Sequence, residues 1–299
     1  MNSVELGALA RRALEQEVLL TPKPGLVDQS NNGAHRDMTA ETFLRSAAVL
    51  EPHFVLLARM GEMQAALPPE KTLPSLRRLG LAAEAEMLRA TGGVNTHKGA
   101  LFSIGLLCAC AGRMTALKQP LSPENLCVLA AETVAGISAR ELGKSGTNGL
   151  RVYTATGARG VRGEAESGFA SVRQYALPYL RQDDSDRSRL LALLALMQQV
   201  EDTNVLHRAG PEGLHWLQNR AGETLKHFSL AALEQLDTEC IRRNISPGGC
   251  ADLLAIGLFL VQLTLAEARF HANPMQNLCK KLVSFFQFYY NEKEGIQPW

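Results

Sequence analysis

Apolar residues recur every three or four positions over most of the 299-residue chain, the spacing of one helical face. In "VELGALARRALEQEVLL", Leu6, Leu9, Ala13 and Leu14 fall on one stripe, and "TPKPG" then breaks the pattern with two prolines and a glycine. The spacing resumes in "ETFLRSAAVLEPHFVLLARMGEMQAAL", where Pro52 predicts a kink or break. It returns in "LPSLRRLGLAAEAEMLRAT", up to Gly92–Gly93, and in the apolar run "GVNTHKGALFSIGLLCACAG". "LSPENLCVLAAETVAGISAREL" has a helix start in Ser122 as N-cap, Pro123 at the first helical position and Glu124 in the first turn. "DRSRLLALLALMQQVED", "SLAALEQLDTECIRRN", "SPGGCADLLAIGLFLVQLTLAEA" and the amphipathic "NPMQNLCKKLVSFFQFYYN" complete the set. Between Gly143 and Gly168 seven glycines predict a long loop. Period-two runs of β-branched residues are nearly absent. The pattern predicts an all-α fold, one globular domain over residues 1–299 built from roughly ten packed helices.

Composition narrows the class. Hydrophobic residues make up 46% and charged residues 20%, the profile of a soluble globular protein. A net charge of +1 gives no field that favours nucleic acid or an anionic membrane, so any polyanion site is local. The six cysteines contain no CxxC pair and read as reduced thiols in a cytoplasmic protein. Glu5, Glu15 and Glu17 interrupt any signal-like apolar run near the N-terminus. The apolar stretch from Leu253 is broken by Gln262 and Thr264 and ended by Glu267. It reads as a buried helix too short to span a membrane.

Polar residues of interest gather at the breaks between helices, where free backbone N–H groups and the helix dipole attract anions. In "TPKPGLVDQSNNGAHRDM", Lys23 lies between prolines, and Asp28, His35 and Asp37 follow; the two aspartates suit a hard cation or an ordinary Asx turn. In "NTHKG", Asn95 as N-cap puts His97 and Lys98 in a first turn, where cations are unfavourable unless an anion binds; Thr96 and Gly99 complete the stretch. Glu84, flanked by Leu81 and Leu88, is expected on an apolar face, paired, protonated or metal-bound. In "GARGVRGEAESG", Arg162 between glycines suits a phosphate or a mobile surface loop. "EDTNVLHRAG" concentrates Asp202, Asn204 and Arg208 at the end of an apolar helix, where acids oppose the dipole and call for a cation. In "NISPGGCADLLA", Ser246 caps a helix whose early positions Gly248 and Gly249 leave N–H groups open to a close ligand, and Asp252 enters an apolar helix needing a metal or an ion-pair partner. Together these breaks predict a pocket for Mg²⁺ and a polyphosphate. No HExxH, GxSxG or dinucleotide-binding fingerprint competes with it.

These segments, in order from about residue 10 to residue 265, resemble the triphosphoribosyl-dephospho-CoA synthase family; residues 270–299 lie outside the resemblance. The resemblance implies an all-helical transferase that takes ATP and 3′-dephospho-CoA. Such an enzyme displaces adenine and joins the triphosphoribosyl unit to the ribose 2′-hydroxyl of dephospho-CoA. The product is the prosthetic-group precursor of the citrate lyase acyl carrier subunit, or its malonate decarboxylase equivalent, which a separate holo-synthase transferase attaches to the carrier protein. By analogy with glycoside cleavage, an anionic group stabilises charge at the anomeric carbon and a base activates the hydroxyl. On this reading Asp202 and Asp252 serve as metal ligands or oxocarbenium stabilisers, with Asp28, Asp37 and Glu84 as further metal candidates. His35 or His97 serves as base or as proton donor to adenine. Lys23, Asn95, Thr96, Lys98, Gly99, Arg162, Asn204, Arg208, Ser246, Gly248 and Gly249 hold phosphate or substrate. Two alternatives are a Mg²⁺-dependent nucleotide hydrolase and a non-catalytic helical nucleotide sensor.

Overall fold

The computed structural model describes residues 1–141 and 148–272, and among these the regular elements are all helical. They are α1 (Ser3–Leu19), α2 (Ala40–Met63), α3 (Leu73–Ala90), α4 (Lys98–Ala116), α5 (Pro123–Thr133), α6 (Ile137–Glu141), α7 (Asn148–Thr156), α8 (Gly160–Glu166), α9 (Leu177–Leu180), α10 (Asp186–Gln199), α11 (Thr203–Lys226), α12 (Leu230–Arg242) and α13 (Gly248–Ala272). Short polar caps start several of them. Asn2 and Glu5 form a reciprocal capping box at α1, and Ser122, Ser185 and Ser229 accept backbone N–H bonds at α5, α10 and α12.

The core is continuous from Leu6 in α1 to Leu263 in α13. α2 lies along α4 and α1, while α13 packs on α1, α10 and α4. The α2–α4 contact is close enough that a Cβ on Gly61 would run into Ala109 O and one on Gly112 into Ala58 O. α4 and α13 are long and apolar enough to cross a membrane by length and composition. However, 72% and 56% of their apolar windows are buried by the rest of the chain, as for core helices. Burial, not a shortage of length, separates α13 from a membrane span, because the helix continues through Gln262 and Thr264.

Four expectations need correction. The glycine-rich stretch is not one long loop, since α7 and α8 lie within it; Gly157 and Gly160 mark the boundary between them. Of the kink or break expected at Pro52, the break does not occur: α2 continues through it, the missing N–H removing only one helical bond. α11 is a helix that the apolar spacing does not announce, because Gly210 (φ 68°) and Pro211 bend it near its start. Leu81 is 61% exposed, so the buried stripe of α3 runs through Leu76, Ala83 and Met87, and Glu84 lies at its margin. The amphipathic segment expected at 273–291, with Cys279, lies outside the described residues; the other five cysteines are buried and free.

Candidate active site at converging helix ends

The C-terminal end of α1, the loop at 20–39 and the N-termini of α4, α11 and α13 meet around a group of buried ionisable side chains. The loop is pinned first. Asp28 Oδ2 accepts the Lys23 N–H at 2.8 Å, and its Oδ1 accepts from Ser30 N, Ser30 Oγ and Asn31 N. Asp237 on α12 accepts from Gly25 N at 2.8 Å and from Asn31 Nδ2 at 2.9 Å. Asp28 thus organises a turn, and the turn drives Lys23 inward until its side chain is 1% exposed. There the ammonium donates to Glu17 Oε1 at 2.5 Å. Burial pushes the Glu17 carboxyl up against the opposing pull of Lys23.

Asp202 does not end an apolar helix. It is the N-cap of α11, where an acid is favourable. Its Oδ1 accepts from Asn204 N at 2.8 Å and Val205 N at 3.3 Å, and its Oδ2 accepts from Cys250 N at 2.8 Å. One carboxylate therefore joins the starts of α11 and α13. Desolvation raises its pKa, and the three N–H groups oppose the rise. The double glycine of α13 admits this partner. A Cβ on Gly249 would sit 3.0 Å from Asp202 Oδ2, and one on Gly248 would sit 2.8 Å from Asn204 Nδ2. The close neighbours are protein side chains, so the glycines are needed before any ligand arrives.

Asp252, one turn into α13, lies against Gly99 in the first turn of α4, and a Cβ there would overlap Asp252 Oδ2. The residue as a whole is half-buried. Desolvation, then the charges of Glu17 and Asp202, hold its pKa well above the carboxylate range, while the Ala100 N–H pulls the other way. α4 itself begins at Lys98, with His97 at the cap position; Asn95 Oδ1 accepts the Lys98 N–H at 3.3 Å, so the helix starts later than an Asn95 cap implies.

His97 is 3% exposed. Its Nδ1 is 2.8 Å from Ser46 Oγ on α2, and the Phe43 ring meets it edge-on. Burial and then the Lys23 charge push its pKa down to about 3. In the unfolded chain the ring protonates near 6.5, so the stability that neutral His97 contributes is present above pH 6.5 and lost as pH falls towards 3. Between pH 6.5 and 4.5, chemical denaturation should show wild-type protein losing about 2–3 kcal/mol more than His97→Gln. Parallel pH curves for the two proteins would refute the shift.

Several expected residues lie elsewhere or are already engaged. Lys98 pairs with Glu84 at the exposed side of the α4 start. Arg162 donates to Glu141 Oε2 at 3.0 Å, and burial lowers its pKa. Arg208 ties Ala34 O to Asn244, with Nε 3.1 Å from Asn244 O, and so locks the loop to the turn before α13. His35 Nε2 lies 2.7 Å from Ser246 Oγ; burial, then the Arg208 charge, lowers its pKa. Asp37, 63% exposed, approaches His35 Nδ1 only at 3.8 Å. The polar core of the site is thus Lys23, His97, Asp202 and Asp252, together with Glu17, Ser46 and Asp237, which the sequence reading did not single out.

The sequence profile of the ATP:dephospho-CoA triphosphoribosyl transferase (CitG) family matches residues 3–270. The chain belongs to this family. A protein from Citrobacter koseri named as a 2-(5″-triphosphoribosyl)-3′-dephosphocoenzyme-A synthase is 44% identical over 270 residues, spanning 86% of this chain and 89% of its own. A crystal structure from Archaeoglobus fulgidus, titled as a triphosphoribosyl-dephospho-CoA synthase, is 17% identical with a TM-score of 0.47; the match covers 75% of this chain and 98% of that one. The family match spans every helix that contributes to the polar core, from α1 to α13.

Proposed function

We propose that this transferase family member joins the triphosphoribosyl unit of ATP to 3′-dephospho-CoA and releases adenine, making the prosthetic-group precursor of the citrate lyase acyl carrier subunit for a separate transferase to attach. The observation that carries the reading is the family match across residues 3–270, which takes in all the helix ends that form the polar core. In the reaction the C1′–N9 bond of ATP breaks and a bond forms from C1′ to the 2′-oxygen of dephospho-CoA. The hydroxyl proton passes to a base, and adenine leaves with a proton.

The chain's own groups suit these tasks unequally. Asp202 spends both oxygens on backbone N–H groups and acts as a fixed negative charge that aligns α11 and α13. Asp252 is a half-buried residue, and only the Ala100 N–H opposes its raised pKa. It is the carboxylate best suited to face positive charge developing at the anomeric carbon. His35, half-buried and held at a lowered pKa, is suited to take the hydroxyl proton as a neutral base. Lys23 supplies a buried positive charge for phosphate oxygens.

The donor set also fits Mg²⁺. Among the described residues no three His, Cys, Asp or Glu side chains form a cage, but Mg²⁺ is usually held by one or two carboxylates together with substrate phosphates. Glu17 and Asp202 act together to raise the pKa of Asp252, and a divalent cation bound there would offset that repulsion and favour the ionised carboxylate. Asp252 would hold the ion, and when bound it would neutralise triphosphate charge. Incubating the protein with ATP, Mg²⁺ and 3′-dephospho-CoA should yield free adenine and the triphosphoribosyl adduct by mass spectrometry. Adenine without adduct would indicate a nucleotide hydrolase instead, and the absence of both products would overturn the assignment.

A further inference from the structure

Around His97 the hydrogen bonds determine which ring nitrogen carries the proton. Thr96 Oγ1 donates to Ser46 Oγ at 2.8 Å. Ser46 is fully buried, and its other side-chain contact is His97 Nδ1, also at 2.8 Å. If Ser46 accepted from both neighbours, its own O–H would have no acceptor in a site without solvent. Ser46 therefore donates to Nδ1, and the proton of the neutral ring sits on Nε2. That Nε2 is buried and has no hydrogen-bond partner. Lys23, close enough for its charge to act on the ring, spends one N–H bond on Glu17. His97 Nε2–H is therefore the donor in this buried cluster that has no acceptor among the described side chains. A buried donor left without a partner calls for a missing acceptor.

We propose that His97 Nε2–H binds an anionic phosphate oxygen of the nucleotide substrate, and that the Thr96–Ser46 hydrogen-bond chain is a positioning device that fixes the His97 tautomer for this contact. The inference rests on the pocket's being a triphosphate site, and it makes His97 a hydrogen-bond donor, not a base. Ser46 and Thr96 act through His97 without touching substrate.

Imidazole ¹⁵N NMR of histidine-labelled protein separates this inference from the reading it rests on, because the tautomer is read without turnover. Wild type should show His97 protonated on Nε2, and saturating ATP should shift the Nε2–H resonance. Ser46→Ala should give a mixture of tautomers and raise the KM for ATP about tenfold, with kcat less affected, as expected for loss of roughly one hydrogen bond. His97→Gln, whose side-chain amide N–H reaches the Nε2 position, should retain measurably more adenine release than His97→Asn, which reaches only Nδ1. A Nδ1–H tautomer in wild type, or a Nε2–H resonance unmoved by ATP that still binds, as for a site filled by a structural water, would overturn the proposal. Failure of ATP to bind at all would instead overturn the triphosphate reading of the pocket, and this proposal with it.

Discussion

Replacing Lys23 by methionine should cost about 3–5 kcal/mol of folding stability, one of the largest losses expected from any single substitution of this chain. Methionine matches the lysine stem in length and fills most of its space, so packing is not the cause. The cost comes from Glu17, which would keep its burial and lose its cation. Its 6% side-chain exposure leaves little water to take over. Its pKa is already raised by burial, and without Lys23 the downward pull of charge and hydrogen bond disappears as well. The variant carboxyl should then hold its proton to higher pH than it does beside Lys23. A group whose folded pKa exceeds its unfolded value adds stability below the unfolded value and loses it as pH rises through the folded value. Lys23→Met should accordingly be least stable on the alkaline side and recover as the pH is lowered towards 5, read by urea denaturation across pH 5–8. Lys23→Met combined with Glu17→Leu should regain most of the loss, since an apolar pair of similar volume replaces a buried ion pair at little net cost. A double variant as unstable as the single one would mean that Lys23 contributes through packing and not through charge.

This pair also shows what the sequence could reveal and what it could not. The helices were legible because most bury one face, and the Ser-Pro start of α5 was legible because a cap is local chemistry. Lys23 was legible as unusual because prolines flank it. Glu17 was passed over, although the rule applied to Glu84 flags it more strongly: it follows Ala13 and Leu14 at helical spacing on the buried stripe of α1. Glu84 satisfied the same rule but lies at the margin of the stripe with a 23% exposed side chain, because Leu81 faces solvent. Stripe membership alone does not rank such positions; the neighbouring helix does. Asp202 was legible as a charge in an odd place but was assigned to the wrong helix end, because the break between α10 and α11 is only three residues long (200–202). Its partner, the Cys250 N–H, is a long-range contact that no local pattern announces. The double glycine in α13 was read as leaving N–H groups open to a ligand, and in the fold Asp202 and Asn204 lie against it instead. Ser46 has no signal of its own, since a small polar residue on an apolar stripe gains meaning only when His97 arrives from α4.

Asp252→Asn should produce the opposite pairing of effects: turnover falls by about 10³-fold or more, while the fold becomes no less stable. Asparagine is nearly isosteric, so it keeps the close packing against Gly99 that a larger side chain would disturb. It also removes a group held far from its ordinary ionisation by burial and by the charges of Glu17 and Asp202. A folded-state pKa raised in this way means that ionised Asp252 weakens the protein at neutral pH, so its removal relieves strain of charge. The sign follows from linkage: the unfolded carboxyl loses its proton at lower pH than the folded one, and stability declines as pH rises between the two values. The variant should therefore show a flatter loss of stability from pH 5 to 8 than wild type. Adenine release should nevertheless disappear, because the neutral amide neither balances charge at the anomeric carbon nor serves as a strong ligand for Mg²⁺. Costly groups of this kind are retained where function needs them, and higher stability with lost activity is the mark of such a position. Unchanged turnover in Asp252→Asn would remove the residue from the mechanism. A marked loss of stability would instead make Asp252 a structural cap for α4, bound through the Ala100 N–H.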